Sequence, residues 1–457
     1  MREIAQRERI YGLGIDTGGT FTDAVVVDLR TNQVLAKAKA RTTHDDLSVG
    51  LGGAVDGVLR GFEGAELSLV GVSTTLATNA ILEGRGGRVG LIGLGWTPEK
   101  GWELGAQVQR FLPGGHDVRG KALAPLDLEE MERVVQEMLP QIDSLVVSGL
   151  FSVHNPYQEA HVKKLVQDKY GLPVVVGHEL TAELGIHERT VTAVLNARLL
   201  PVLRSFLDKV TVILRERGIT APIMVFKGDG TLMNLRTAVE RPVDTILSGP
   251  AASAMGGRIL SGLEACIVID MGGTSTDIAV LRGGVPKVSR EGSAVGRWRT
   301  RVEAVDMWTA ALGGDSEVRA AGGGDVLIGP QRVVPLCFAT ARFPGLVQRM
   351  REVRQARFLF AARGPDGLTG SEARIVRYLV ENGPRTRSEL KRDLDDIILL
   401  DSALKALVAR EAVMGIGLTP TDVLHATGRY AAGDVDAARL GVELFASVMN
   451  LTAEAFA

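Results

Sequence analysis

The chain has 457 residues, 45% of them hydrophobic and 23% charged, and a formal net charge of −2. That length exceeds one ordinary core and predicts two or three domains, and the composition excludes a disordered or fibrous chain. The near-neutral balance argues against a nucleic-acid or membrane-surface partner, and two cysteines, Cys266 and Cys337, exclude a disulfide framework and fit a reducing cytoplasm.

The N-terminal run Met1–Arg9 is charged throughout and carries no signal-peptide apolar core. No apolar run approaches the roughly 20 residues of a membrane span. The first predicted element is a strand over Tyr11–Ile15. It leads into Asp16-Thr17-Gly18-Gly19-Thr20-Phe21-Thr22-Asp23 and a second apolar run, Ala24–Val27. Apolar runs bounded by glycine read as strand, tight turn, strand. Adjacent glycines let successive backbone N–H groups point at an anion, and the hydroxyls of Thr17, Thr20 and Thr22 add donors. Asp16 has the wrong charge to touch phosphate and the right one to hold Mg²⁺, directly or through water.

Further along, Thr74, Thr75, Thr78 and Asn79 form a polar cluster on an apolar segment. Thr75, Thr78 and Asn79 share a helical face by i, i+3, i+4 spacing, which marks the cluster as a candidate substrate or phosphate contact. Strand-like runs at Val89–Leu94, Ser144–Phe151 and Pro173–Val176 alternate with a helical pattern at Leu126–Leu139, predicting an α/β unit. His154, His161, His178 and His187 cluster near Glu179 and Glu188, without His-Glu-x-x-His spacing, and read as loop and surface histidines near a hinge. Thr190–Arg217 reads as a long helix bridging two lobes. Ile223–Phe226 opens the second lobe, Gly228-Asp229-Gly230 is a turn, and Pro250 starts a helix through Met255 whose N-terminus suits an anion. Cys266, in an apolar run, reads as a buried small hydrophobe.

Asp270-Met271-Gly272-Gly273-Thr274-Ser275-Thr276-Asp277 then repeats the first motif at six of eight positions, again between apolar runs. Gly272, Gly273, Thr274 and Thr276 take the anion-binding roles, with Asp270 as second Mg²⁺ holder. Gly313-Gly314-Asp315 supplies a third glycine-rich turn. Past it, Arg342, Arg349, Arg351, Arg354, Arg357 and Arg363 stand with a single acid, Glu352, ahead of helical patterns at Ser371–Glu381, Thr386–Leu394 and Ser402–Arg410. That stretch is compatible with a winged-helix unit or with a helical insert whose basic face is solvated.

The two Asp-…-Gly-Gly-Thr-…-Asp loops resemble the phosphate loops of the hydantoinase/oxoprolinase family, hydantoinase A-type subunits of the acetate and sugar kinase, heat-shock chaperone and actin superfamily. Ser73–Ala80, Phe151-Ser152 with Asn155-Pro156, Glu188-Arg189-Thr190 with Val194–Ala197, Leu247–Ala254 and Gly313–Ser316 are similar to further family segments, in the same order. Val333–Val413 departs from the pattern, and Pro420–Val423 with Gly428-Arg429 returns to it.

The resemblance implies an α/β duplicated actin/hexokinase-type (ribonuclease H-like) two-lobed fold with a C-terminal helical insert. Its parts would be a first lobe over 10–185, a second over 186–332, the atypical insert over 333–414, and a returning segment over 415–457. It also implies ATP and Mg²⁺ as cofactors and Asp16 and Asp270 as catalytic residues. The expected activity is phosphorylation of an amide, lactam or ketone carbonyl oxygen before hydrolysis or carboxylation, alongside a hydantoinase B-type partner subunit. The same fold also hosts nucleotide-gated interaction and regulatory proteins without substrate turnover, the alternative reading.

Overall fold

The computed structural model describes residues 10–19, 21–43, 46–62, 67–321, 325–395 and 399–453. They divide into two compact units, one of Met1–Val268 with Ala279–Met307, the other of Ile269–Ile278 with Trp308–Ala457.

The first unit is built from strands β1 (Tyr11–Thr17), β2 (Phe21–Asp28), β3 (Gln33–Arg41), β4 (Leu67–Thr74), β5 (Val89–Leu94), β6 (Val108–Leu112), β7 (Ser144–Gly149), β8 (Val174–Val176), β9 (Ile223–Phe226) and β10 (Leu232–Asn234). Its main helices are α1 (Leu47–Leu59), α2 (Leu76–Leu82), α3 (Leu128–Met138), α4 (Tyr157–Tyr170), α5 (Ile186–Glu216) and α6 (Ser248–Ser261). One sheet has the order β10-β9-β4-β1-β2-β3. Within it β1, β2 and β3 form an antiparallel meander, while β4 runs parallel to β1 and β9 parallel to β4. This is the ribonuclease H-like arrangement of the actin/hexokinase-type fold. Leu13, Ile15, Val26, Val70 and Val72 from the sheet pack with Leu51 and Val55 of α1 and Leu203, Phe206 and Val210 of α5.

A second sheet, ordered β6-β5-β7-β8, is all parallel. Every residue of β5 and β7 is buried, as expected of parallel strands covered on both faces. Helix α3 starts at the N-cap Asp127, with Glu129 and Glu130 in its first turn, and lays Met131, Val134, Val135 and Met138 on this sheet.

Helix α5 is the one described helix long and apolar enough to cross a membrane, yet 67% of its apolar window is buried inside the protein. It is a core helix. Pro201 lies inside it and removes the N–H that would reach the Ala197 carbonyl. The Ser144 hydroxyl of β7 donates to that carbonyl instead, at 3.4 Å.

Strands β11 (Cys266–Met271) and β12 (Thr276–Arg282) carry the second motif. The repeat aligns Leu13 with Ile267 and Ile15 with Ile269, but the environments differ. Leu13 and Ile15 are 1% and 3% exposed, Ile267 and Ile269 65% and 63%. Cys266, expected to be buried, is half-buried.

The rest of the second unit comprises β13 (Ser316–Ala320), β14 (Val326–Arg332), β15 (Val334–Pro335), α7 (Leu336–Arg342), α8 (Leu346–Val353), β16 (Phe358–Ala361), α9 (Gly370–Asn382), α10 (Arg387–Asp393), α11 (Leu400–Ala409), β17 (Val413–Gly417), α12 (Pro420–Ala426) and α13 (Val435–Val448). Strand β17 is central, parallel to β15 and antiparallel to β16. Helices α9–α11 close around Ile375, Leu379, Leu390, Leu404 and Leu407. Leu336, Met350, Phe358 and Phe360 belong to a different cluster, with Ile416, Ala437 and Val442. Much of the arginine run is engaged. Arg349 pairs with Glu389, Arg357 with Glu317, and Arg342 lies over the rings of Phe343 and Phe360.

Candidate phosphate-binding loops

The two motif loops close with the same bond. Gly18 N–H donates to Phe21 O at 3.0 Å, and Gly272 N–H donates to Ser275 O at 2.9 Å. In the first loop, Asp16 faces Asp23 and Thr17 faces Thr22 across the hairpin. A side chain at Gly19 would bring its Cβ to 3.3 Å from Asn79 Nδ2, so glycine permits that approach. Thr20 lies outside the described residues.

Three elements of the first unit meet here. The Thr74 hydroxyl and Thr75 N–H both donate to Thr17 O, each at 3.1 Å. Thr42 Oγ1 donates to Gly18 O at 2.9 Å and bonds the Thr22 hydroxyl at 3.1 Å. Asn79 Nδ2 donates to Thr75 Oγ1 across one turn, at 3.2 Å. From the start of α6, Ser248 Oγ donates to Thr74 O at 3.0 Å, and Leu247 N–H donates to Thr78 Oγ1 at 3.1 Å. Leu247 has a φ of 61°, a left-handed value that costs a leucine energy and is held by these contacts. The side chains of Thr17, Thr22 and Thr74 are buried, with Thr17 Oγ1 lacking a partner, so they brace the loop from below. Asp16 is exposed, beside Ser73 of β4.

The second loop lies wholly in the second unit and is braced by the third glycine-rich turn. Gly314 N–H donates to Gly272 O at 2.9 Å, Asp315 N–H to Gly273 O at 2.8 Å, and Gly313 N–H to Ser316 Oγ at 2.9 Å. The Thr276 hydroxyl donates to Leu312 O at 2.6 Å, and the Thr309 hydroxyl to Asp277 at 2.6 Å. Thr274 is exposed at the tip and Asp270 is half-buried. The Asp315 carboxylate leans on Gly273, where a Cβ would lie 2.8 Å from Oδ2. Burial pushes its pKa up, opposed by Arg332 at 3.4 Å. A carboxylate at this place disfavours a bare phosphate and favours one that carries a cation.

Sequence reasoning noticed Pro420–Val423 without giving it a role. Thr421 N–H donates to Gly314 O at 3.1 Å, tying α12 to the glycine-rich turn. Asp422, fully buried, accepts from the N–H groups of Leu336, Cys337 and Thr419 at 3.1, 2.8 and 3.0 Å. The signal was a capping box, Thr419 with Asp422 at the third helical position. Likewise the Glu188–Ala197 segment works in the core: Arg189 donates to Gly149 O at 2.8 Å, and Asn196 bonds Val243 N–H and Glu240 O, both at 3.1 Å.

Among the described residues no group of three or more His, Cys, Asp or Glu is placed to hold a metal ion. His178 pairs with Glu159 at 2.5 Å, His187 packs on Trp102, His154 on Phe151 and His161 on Tyr157. Each motif loop offers one aspartate beside a Gly-Gly turn, a donor set that fits Mg²⁺ bound through one carboxylate, waters and phosphate oxygens.

Comparison with known proteins matches the same stretches. The model of the hydantoinase/oxoprolinase N-terminal region matches residues 12–170, and the hydantoinase/oxoprolinase model matches 189–340. The chain belongs to the hydantoinase/oxoprolinase family. Caprolactamase subunit alpha of Pseudomonas jessenii is 31% identical over 366 residues, 72% of this chain and 52% of that protein. The acetophenone carboxylase gamma subunit of Aromatoleum aromaticum is 27% identical over 74% of this chain and 52% of its own. This family member thus spans about half the length of the curated relatives it matches. Among solved structures, nucleotide-free acetone carboxylase superposes with a TM-score of 0.63 at 18% identity, covering 98% of this chain and 60% of that one. The ATP-dependent caprolactamase of Pseudomonas jessenii gives 0.59 at 24%, covering 95% and 64%. These likenesses establish the shared α/β fold.

Proposed function

We propose that this protein is the ATP-binding subunit of an enzyme that activates an amide, lactam or ketone carbonyl by phosphorylating its oxygen, before hydrolysis or carboxylation. The observation that carries the reading is the pair of Gly-Gly-Thr turns closed by the same bond, Gly18 to Phe21 and Gly272 to Ser275. The backbone N–H groups of Gly19 and Gly273, the exposed Thr274 hydroxyl and the start of α6 would cradle phosphate oxygens. Asp16 and Asp270 would hold Mg²⁺, which when bound supplies the positive charge that phosphoryl transfer needs. Thr75 and Asn79, hydrogen-bonded to each other beside the first loop, would orient the carbonyl substrate.

The matched relatives are a caprolactamase and carboxylase subunits, each one chain of a named set. That supports a small cyclic amide or carbonyl substrate and a partner subunit, which we take to be of hydantoinase B type, working in the cytoplasm. The test is steady-state ATP hydrolysis over a panel of cyclic amides and ketones, with and without the candidate partner. Hydrolysis stimulated by one class of carbonyl compound is the expected result. Absence of nucleotide binding, and of stimulation by any compound with the partner present, would overturn the reading.

A further inference from the structure

The first unit holds an open cavity of about 260 Å³, lined by Gly101, Trp102, Glu103, His187, Val191 and the Arg297–Arg299 turn. Its size is below the roughly 300–1,000 Å³ of sites for drug-sized ligands, so it suits a single ring. None of the nucleotide-loop residues lines it. The nearest link is Leu82 at the far end of α2, whose side chain a Cβ at Gly296 would approach to 3.0 Å. Helix α2 is seven residues long, which sets the cavity on the order of 10 Å beyond the end of α2 that touches the first loop.

Aromatic surface and charge are both specific here. Trp298 is 7% exposed and is seated by Gly105, where a Cβ would lie 3.0 Å from the indole. Trp102 packs against His187 with ring centroids 4.7 Å apart and against Trp96 at 6.2 Å. The two indoles are thus fixed by their surroundings. At the mouth, the Arg297 guanidinium lies 4.7 Å over the Trp298 ring and 2.8 Å from Glu103. Arg299 is exposed and has no ion pair among the described residues. Arg198, which donates to Gly105 O at 2.6 Å, is close enough to Arg297 for their charges to oppose each other. Three guanidinium groups against one carboxylate leave the mouth positive.

We propose that this cavity binds a flat single-ring monoanion, an aromatic or cyclic monocarboxylate, with its ring against the indoles and its carboxylate on Arg299. Guanidinium and carboxylate pair well by forked hydrogen bonds, and indole faces take a planar ring without ordering flexible chains. The inference stands apart from the nucleotide reading, and its test needs no ATP.

The probes are benzoate and its neutral counterpart benzyl alcohol, titrated into the full chain by calorimetry and followed by tryptophan fluorescence. Benzoate is expected to bind saturably, with benzyl alcohol roughly tenfold weaker or worse. Arg299→Gln should weaken benzoate by about the same factor without changing the melting temperature, because that side chain is exposed. Trp102→Leu should also lose benzoate affinity. Absence of saturable benzoate binding, equal binding of the alcohol, or unchanged benzoate affinity in Arg299→Gln would each overturn the proposal.

Discussion

Asp16 and Asp270 occupy the same position of the repeat, one exposed on β1 and the other half-buried on β11. Neither has the cage of three or more acidic, histidine or cysteine ligands that tight metal binding by the protein alone requires, so their contribution should fall on the transferring phosphoryl group more than on nucleotide capture. Asp16→Asn and Asp270→Asn are each expected to lower kcat by about 10²-fold or more while leaving nucleotide affinity within a few-fold. Titrating a fluorescent ATP analogue beside steady-state assays separates the two; equal losses in both would make them builders of the site only. A different residue-scale consequence follows from His116. It is 2% exposed with Nδ1 unpartnered. Burial lowers its pKa, and the neighbouring charges of Glu159 and Asp117 oppose that only in part. A histidine whose pKa is depressed in the fold contributes stability that is present above its ordinary value of about 6.5 and is lost as pH falls through the folded value. Urea denaturation should show stability falling as pH drops from about 7 to about 5, with a shallower slope in His116→Gln. Identical slopes would remove His116 as the source.

The helical insert divides at the level of its elements. Helices α7 and α8 and strand β16 share a hydrophobic cluster with α13, whereas α9–α11 close around their own leucines. Strands β16 and β17 are antiparallel with Ala361 opposite Val413, so a two-residue Asn-Gly turn can join them. Replacing residues 362–412 by Asn-Gly is expected to leave a folded protein that keeps its nucleotide-induced thermal shift, since no bond to the loops at 270–277 or 313–315 comes from the excised part. The Arg349–Glu389 pair is the main loss. A soluble variant without the shift would show that α9–α11 support the nucleotide site. Elements with a clear period were legible in the sequence: the motif hairpins, β5, β7 and α5 all fall where apolar spacing put them. The first sheet was only half legible. Strand β3 reads as Gln-Val-Leu-Ala-Lys-Ala-Lys-Ala-Arg and is mostly solvent-facing, and α1 carries three glycines, so neither shows a strong pattern. The buttressing of Gly313–Asp315 on Gly272 and Gly273 joins residues some 40 apart in sequence and leaves no local signal. The third glycine-rich turn was therefore recognisable by resemblance, while its contacts were visible only in the fold.

For the whole molecule, nucleotide should act as a folding ligand. Mg-ATP at 100 times its dissociation constant should add about 2.7 kcal/mol of stability if it binds only the folded chain, and a thermal melt unchanged by saturating Mg-ATP would rule out the nucleotide reading. Turnover is a separate matter. The residues placed at the loops bind phosphate, position a cation or brace the backbone, and among them none is arranged as a nucleophile with a base for a second chemical step. The repeat points the same way. Where the first copy buries Leu13 and Ile15, the second leaves Ile267, Ile269 and Met271 at 65%, 63% and 53% exposure. Large apolar side chains in a row along one strand mark a surface that another polypeptide covers. An activated carbonyl phosphate also needs shelter from water, which an interface provides and free diffusion does not. The chain alone is therefore expected to hydrolyse ATP slowly and to form little product from any cyclic amide or ketone. Addition of the partner subunit should raise product formation to ordinary enzyme rates, on the order of 1–10³ s⁻¹. Ile269→Lys, a charge placed on that strand, should weaken the partner's effect while leaving the Mg-ATP thermal shift in place. If the isolated chain reaches those rates unaided, the partner requirement falls, and the second step belongs to side chains here assigned to bracing the loops.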